Sequence, residues 1–223
     1  MQQMTHARRI AILAMLSALA YLIMVFGRIP IVTVPLTLNY DPKDIIIHIG
    51  GFIFGPISAL AMSVVVSFVE MITVSVNTWV GLVMNIISTC SFVCPAAIIY
   101  KRRRKMSGAV IGLAVGLVSM SIVMMLWNYI MVPIYMKGVS REVVAPMLLP
   151  IFLPFNLIKG GINMAVTLLM YKPVTAALKK SRLVPAPAGG GAAGAKVNIG
   201  VVLLAGFMLI TCILFFLVMR GII

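Results

Sequence analysis

Acidic residues are nearly absent: 4 Asp and Glu stand against 18 Lys and Arg in 223 residues. Histidine occurs twice and cysteine three times. That scarcity leaves few ligands for a metal and few groups for acid–base chemistry. There is no HExxH or GxSxG motif. There is also no Gly-Lys dipeptide, which excludes the P-loop that cradles the phosphates of ATP. Proton- or sodium-coupled transport has equally few carboxylates to draw on. Charged residues make up 10% of the chain and hydrophobic ones 62%. Soluble domains carry about 25% charged and about 45–50% apolar residues. A water-facing globule of this length cannot hide so much apolar surface, so lipid must be the solvent for most of it. The expected class is an all-α integral membrane protein in one compact membrane domain.

The formal net charge of +14 sits in short clusters between apolar runs, a pattern of membrane topology rather than of nucleic-acid binding. A crossing needs about 20 mostly apolar residues. The first spans 10–27. Arg8 and Arg9 ahead of it imitate a signal peptide with Ala18-Leu19-Ala20 as the cleavage site, but the apolar stretch continues to Phe26, so an uncleaved helix is expected. The polar, Pro-containing stretch 28–43 reads as a loop. Residues 44–100 then run almost wholly apolar to the basic cluster Lys101-Arg102-Arg103-Arg104-Lys105. If His6, Arg8, Arg9 and this cluster share the cytoplasmic side, an even number of crossings separates them. The stretch 44–100 therefore holds three, broken at Gly55-Pro56 and around 73–79, the first short at 44–55 and the next opened by Pro56. A fifth crossing follows at 109–135, an outer loop at 137–142, and a sixth at 146–171 ending near Lys172, Lys179, Lys180 and Arg182. Residues 183–196 are rich in Pro, Ala and Gly, as a linker is. Residues 197–223 add a seventh crossing. The expected division is a membrane domain over 1–182, the linker, and an additional C-terminal helix.

Polar groups inside a bilayer are unfavourable without partners, so each is a candidate for function. Asn156, Lys159 and Asn163 fall at i, i+3 and i+7, one helical face, with Lys159 near the middle of its run. The plain alternative is that Lys159 pairs with a helix carbonyl or with Glu70 and only holds the bundle. Pro150 and Pro154 bend the outer end of the same helix, either to open a pocket or as a packing kink. Asn128 and Tyr129, beside Trp127, and Asn85, beyond Trp79, reach a similar depth. The first loop adds Thr33, Thr37, Asn39, Tyr40 and Asp41 at that level. Apolar and aromatic faces with a few amides, hydroxyls and one ammonium suit a flat, uncharged heterocycle with a polyol tail.

Two further patterns concern packing. Ala7, Ala11, Ala14 and Ala18 share one face of the first helix, which lets another helix approach closely. That neighbour is either within this chain or on another membrane subunit. Cys90, Cys94 and Cys212 lie in apolar runs as reduced packing residues, and Cys90 and Cys94 share a face without a histidine near in sequence.

Several stretches, in order, resemble the riboflavin-binding subunits of energy-coupling-factor (ECF) transporters over residues 7–180. They are Asn39-Tyr40-Asp41-Pro42-Lys43-Asp44 with Gly50-Gly51-Phe52-Ile53-Phe54-Gly55-Pro56, the stretch through Asn85 to Pro95-Ala96-Ala97-Ile98-Ile99-Tyr100-Lys101, Asn128-Tyr129 with Pro133 and Tyr135, and Pro154-Phe155-Asn156-Leu157-Ile158-Lys159-Gly160. The resemblance implies a six-helix S-component bundle, no enzyme, with an outward pocket capped by the first loop. It implies riboflavin as transported ligand and no cofactor. It implies a transmembrane coupling subunit that meets the alanine face, a pair of ATP-hydrolysing subunits, and a bacterial cell membrane with the N-terminus cytoplasmic. Asn85, Asn128, Lys159 and Asn163 would contact the ligand, with Asn39, Tyr40 and Asp41 closing over it. The seventh run lies outside the six-helix pattern, and Glu70 falls in a region that looks basic in such proteins. Three readings remain beside it: a subunit for FMN or another heterocyclic vitamin, a stand-alone facilitator or channel, and a membrane enzyme, which the scarcity of acids and histidines disfavours.

Overall fold

The computed structural model describes residues 5–32, 38–74, 78–136, 138–180 and 199–219. The linker 183–196, Arg182, Thr33, Thr37 and Lys137 lie outside the described residues. Helix α1 covers His6–Gly27, and a short antiparallel pair follows, β1 (Ile29–Val32) with β2 (Leu38–Tyr40). Next come α2 (Lys43–Phe54), α3 (Pro56–Thr73), α4 (Thr78–Arg102) and α5 (Met106–Tyr135). The chain then enters α6 (Arg141–Met147), a π-helical turn at Leu148–Phe152, α7 (Leu153–Lys180) and, beyond the linker, α8 (Ile199–Met219).

The breaks fall where backbone chemistry puts them. Gly55 ends α2 at φ 94°, which a side chain would strain, and its N–H still donates to Gly51 O at 2.8 Å. Pro56 then opens α3 at a position whose N–H would be unpaired anyway. Lys101 and Arg102 close α4, where cations suit the helix dipole.

Three expectations change. The stretch read as a loop forms a ladder, Ile29 opposite Tyr40, Pro30 opposite Asn39 and Val32 opposite Leu38, with an irregular register between Pro30 and Val32. A two-stranded ribbon leaves the outer edge of β1 free, so Pro30 is tolerated there and hides the strand in the sequence. The sixth run is longer at both ends than 146–171, since Ser140 precedes a helix starting at Arg141 and α7 continues to Lys180. Pro150 sits in the π turn, so the proline pair widens the helix for one turn instead of only kinking it.

The crossings also differ in length. Among the described residues six helices are long and apolar enough to cross a membrane: α1, α3, α4, α5, the α6–α7 rod and α8. The short second segment is not one of them. With 12 residues α2 is about 18 Å long, against a hydrocarbon layer of about 30 Å. It nonetheless brings the chain back to the level where α1 begins, since Arg9 Nη2 donates to Phe54 O at 3.2 Å and to Ser58 Oγ at 2.7 Å, and it does so as the core of the bundle. All residues from Lys43 to Phe52 are buried, and α1, α3, α4 and α7 surround them.

Close helix approach is set by small residues. A Cβ on Gly112 would stand 2.8 Å from Ala96 O, and one on Gly116 would stand 2.2 Å from Phe92 O. With Gly108 these form a four-residue repeat that seats α5 on α4. On α1 the buried stripe is Ile12, Leu16, Ala20 and Met24, which faces α2 and α3. Ala7, Ala11, Ala14 and Ala18 are all exposed. Among the described residues, no other part of the chain covers that face.

Gly116→Leu should lower the apparent melting temperature in detergent sharply, since overpacking a fixed backbone contact costs about 1–3 kcal/mol or more. Gly206→Ala on α8, where a Cβ would meet nothing within 4 Å, should leave it unchanged. Equal melting temperatures for the two variants would contradict the α4–α5 contact.

Candidate ligand-binding site

The polar residues of α7 emerge next to the β1–β2 pair. Asn156, Lys159 and Asn163 are buried, as their common spacing requires. Asn163 is the meeting point. Its Oδ1 accepts from Tyr40 Oη at 2.9 Å, and its Nδ2 donates to Asp41 O and to Asp44 Oδ2, both at 3.4 Å. Burial, then the charges of Asp44 and Asp41, push the Tyr40 phenol well above its ordinary pKa, so it stays protonated and remains the donor. Lys159 Nζ lies 3.8 Å from Asp41 Oδ2. It pairs with the first loop and not with Glu70.

Glu70 has other partners. Lys43 Nζ donates to its Oε2, and Arg28 Nη1 approaches Oε1 at 3.9 Å. Arg28 Nε also stands 3.4 Å from Asp41 Oδ1. Asp44 is fixed by Thr89 Oγ1, which donates to Oδ1 at 2.7 Å. His48, one turn on, meets the Asp44 carbonyl oxygen at 2.7 Å through Nδ1. Three of the chain's four acids thus collect in one buried cluster, Asp41, Asp44 and Glu70, against Arg28, Lys43 and Lys159. The cluster is electroneutral as a set.

The remaining predicted residues divide. Asn85 on α4 and Asn128 on α5 are buried, and neither amide is held by another described residue. Asn156 Nδ2 donates to Phe152 O at 2.7 Å, so its amide is used to close the helix after the π turn. Asn39 is half-buried on β2. Tyr129 is 38% exposed, with the Arg141 guanidinium 6.0 Å from its ring centre, away from the buried group. The sequence puts Arg28 and Lys43 at the two ends of a loop and by itself marks neither Asp44 nor Thr89 as part of the site. The available signal was scarcity: with four acids in the chain, each one next to an apolar run needs a buried partner.

No nucleophile–base pair is formed here. The site brings together an ammonium, amides and a phenol, groups that can hydrogen-bond a polar planar molecule.

A family model for the substrate-specific component of ECF transporters matches residues 8–171. The chain is 29% identical over 182 residues to the riboflavin transporter RibU of Staphylococcus aureus (strain TCH60), covering 79% of this chain and 95% of that one. It is 27% identical over 161 residues to the riboflavin transporter FmnP of Bacillus subtilis (strain 168), covering 69% and 84%. A solved S component of a bacterial ECF transporter superposes with a TM-score of 0.66 at 29% identity, over 78% of this chain and 99% of that one.

Glu70→Gln should destabilise the protein by about 3–5 kcal/mol, because it leaves buried Lys43 without the carboxylate it pairs with. The double variant Glu70→Leu/Lys43→Met should recover most of that loss in a thermal melt. A single variant as stable as the parent would contradict the ion-paired cluster.

Proposed function

The chain belongs to the substrate-specific components of ECF transporters, and from that premise we propose that it captures riboflavin from outside a bacterial cell and delivers it inward with an ATP-driven ECF module. It is a membrane transporter component and not an enzyme. One observation carries the ligand reading: Lys159 and Asn163 of α7 are tied to Asp41 and Tyr40 of the loop that follows α1, so binding groups and their cover form one unit. Lys159 supplies a donor for a ring carbonyl or ring nitrogen. Asn85 and Asn128 supply amides for a uracil-like edge. The ionic cluster is balanced without the ligand, and an uncharged flavin leaves it balanced, whereas the phosphate of FMN would add charge that no further buried base answers.

The partners in this reading are a transmembrane coupling subunit and two ATPase subunits. The exposed alanine face of α1 fits a close helix contact with the coupling subunit. The N-terminus is cytoplasmic, with Arg8 and Arg9 on the side of the basic cluster after α4.

Purified full-length protein should quench riboflavin fluorescence with one-to-one stoichiometry and respond to FMN more weakly. No quenching by any flavin would reject the ligand, and flux through the chain alone in liposomes would favour a facilitator. Lys159→Ala and Asn128→Ala should each weaken binding about tenfold or more, the scale of a lost buried hydrogen bond to a charged or amide group, while the protein stays folded. Normal binding by both would move the site elsewhere. Ala14→Leu and Ala18→Leu should spare binding and abolish uptake by cells that carry the ECF module. Lost binding in these variants would place that face inside the bundle.

A further inference from the structure

Helix α8 lies beyond the residues that match the family model, and its packing is one-sided. Its less exposed positions Val201, Ala205, Met208, Leu209, Cys212 and Phe216 form a single helical stripe, while Leu203, Phe207, Ile210 and Ile213 point outward. The stripe runs along α7 in the antiparallel sense. Ala205 shares a core cluster with Leu168 of α7, and a Cβ on Gly161 would lie 2.6 Å from Cys212 Sγ. Further along, Phe216 packs against a cluster formed by Phe155 and Ile158 of α7 with Ile31 and Tyr40 of the β pair, against which Val32 and Leu38 also pack, and α8 contacts β1 there. Gly160, next to Gly161, faces Leu117 and Met120 of α5. Two adjacent glycines thus let α7 sit tight against both neighbours while its polar face stays turned to Asp41 and Tyr40.

We infer that α8 is a clasp on the first loop: Phe216 is a positioning residue that holds the β1–β2 pair against α7 and so sets how fast a bound ligand leaves. The chain of contact is short. Phe216 touches the cluster that contains Tyr40, and Tyr40 donates to Asn163 of the binding face. Loosening the pair should act on release more than on encounter, because the groups that meet the ligand on α4, α5 and α7 are unchanged. Helix α8 contacts α7 and β1 and leaves the alanine face of α1 open, so the clasp and the proposed docking face can operate together.

The consequence for release rests on the riboflavin reading, but the clasp itself does not, and two measurements on the full chain separate them. The first is amide hydrogen exchange of residues 29–32 and 38–40 in the ligand-free protein. Phe216→Ala should speed it about tenfold, Phe216→Leu should restore most of the protection, and Phe207→Ala, which removes an equal ring from the outward face, should change nothing. Unchanged exchange in Phe216→Ala, or equal acceleration in Phe207→Ala, overturns the clasp. The second is the dissociation rate of bound riboflavin after dilution, which should rise about threefold to tenfold in Phe216→Ala with a nearly constant association rate. Faster exchange with an unchanged dissociation rate overturns the claim that the clasp sets release. Faster exchange in a protein that binds no flavin, parent included, upholds the clasp and rejects riboflavin. If Phe216→Ala does not fold, Phe216→Leu against Phe207→Leu decides the same question with smaller shifts.

Discussion

Ionised groups surrounded by hydrocarbon must be neutralised locally, and the rest of this structure depends on how that is done. Arg28, Asp41, Lys43, Asp44, Glu70 and Lys159 come from the end of α1, the segment after β2, α2, α3 and α7. None could be buried alone, because the desolvation of a single charge far exceeds what packing returns. Burying them together requires five parts of the chain to converge. That convergence sets where the β pair leaves and rejoins the bundle: Arg28 lies at its entry, and Asp41 and Lys43 at its exit. The loop is therefore anchored at both roots by the same cluster that holds Lys159.

Helix α2 makes the convergence possible. A helix of 12 residues is shorter than the hydrocarbon layer is thick and cannot face lipid along its length as the longer helices do. It can be fully buried only because α1, α3, α4 and α7 enclose it. Its first turn carries Lys43 and Asp44 into the ionic cluster, and its later turns carry Ile47, Ile49 and Phe52 into the apolar core. A polar beginning and an apolar remainder on one short element join the site to the packing beneath it. Burial leaves such a site few alternative arrangements, since each polar group has one set of partners within reach.

Helix α7 serves three neighbours at once. Lys159 and Asn163 face the first loop and α2, Gly160 meets α5, and Gly161 meets α8. Between hydrocarbon and protein there is little hydrophobic drive, so contact area and small residues decide which helices associate. The glycines of α5 against α4 and the glycine of α7 against α8 follow that rule. The alanines of α1 show the same small-residue pattern and are exposed among the described residues.

The sequence by itself determined the solvent, the run lengths, the breaks at Gly55-Pro56 and after Thr73, and the common face of Asn156, Lys159 and Asn163. These are local matters of hydropathy, backbone chemistry and helical period, so they can be read without neighbours. It also carried the family signature through residues of the first loop and α7. Tertiary structure alone decided that Lys159 meets Asp41 and Glu70 meets Lys43, that α2 is enclosed as the core of the bundle, that the first loop folds as a β pair, and that Asn156 serves its own helix while Tyr129 faces outward. Those outcomes depend on which elements adjoin across long stretches of chain, such as Asp41 and Asn163 at a sequence separation of 122. The position of α8 belongs with them. Its run shows only that it is apolar on every side, and the stripe that reaches the β pair exists only where α7 offers Gly161 and Ile158 to receive it.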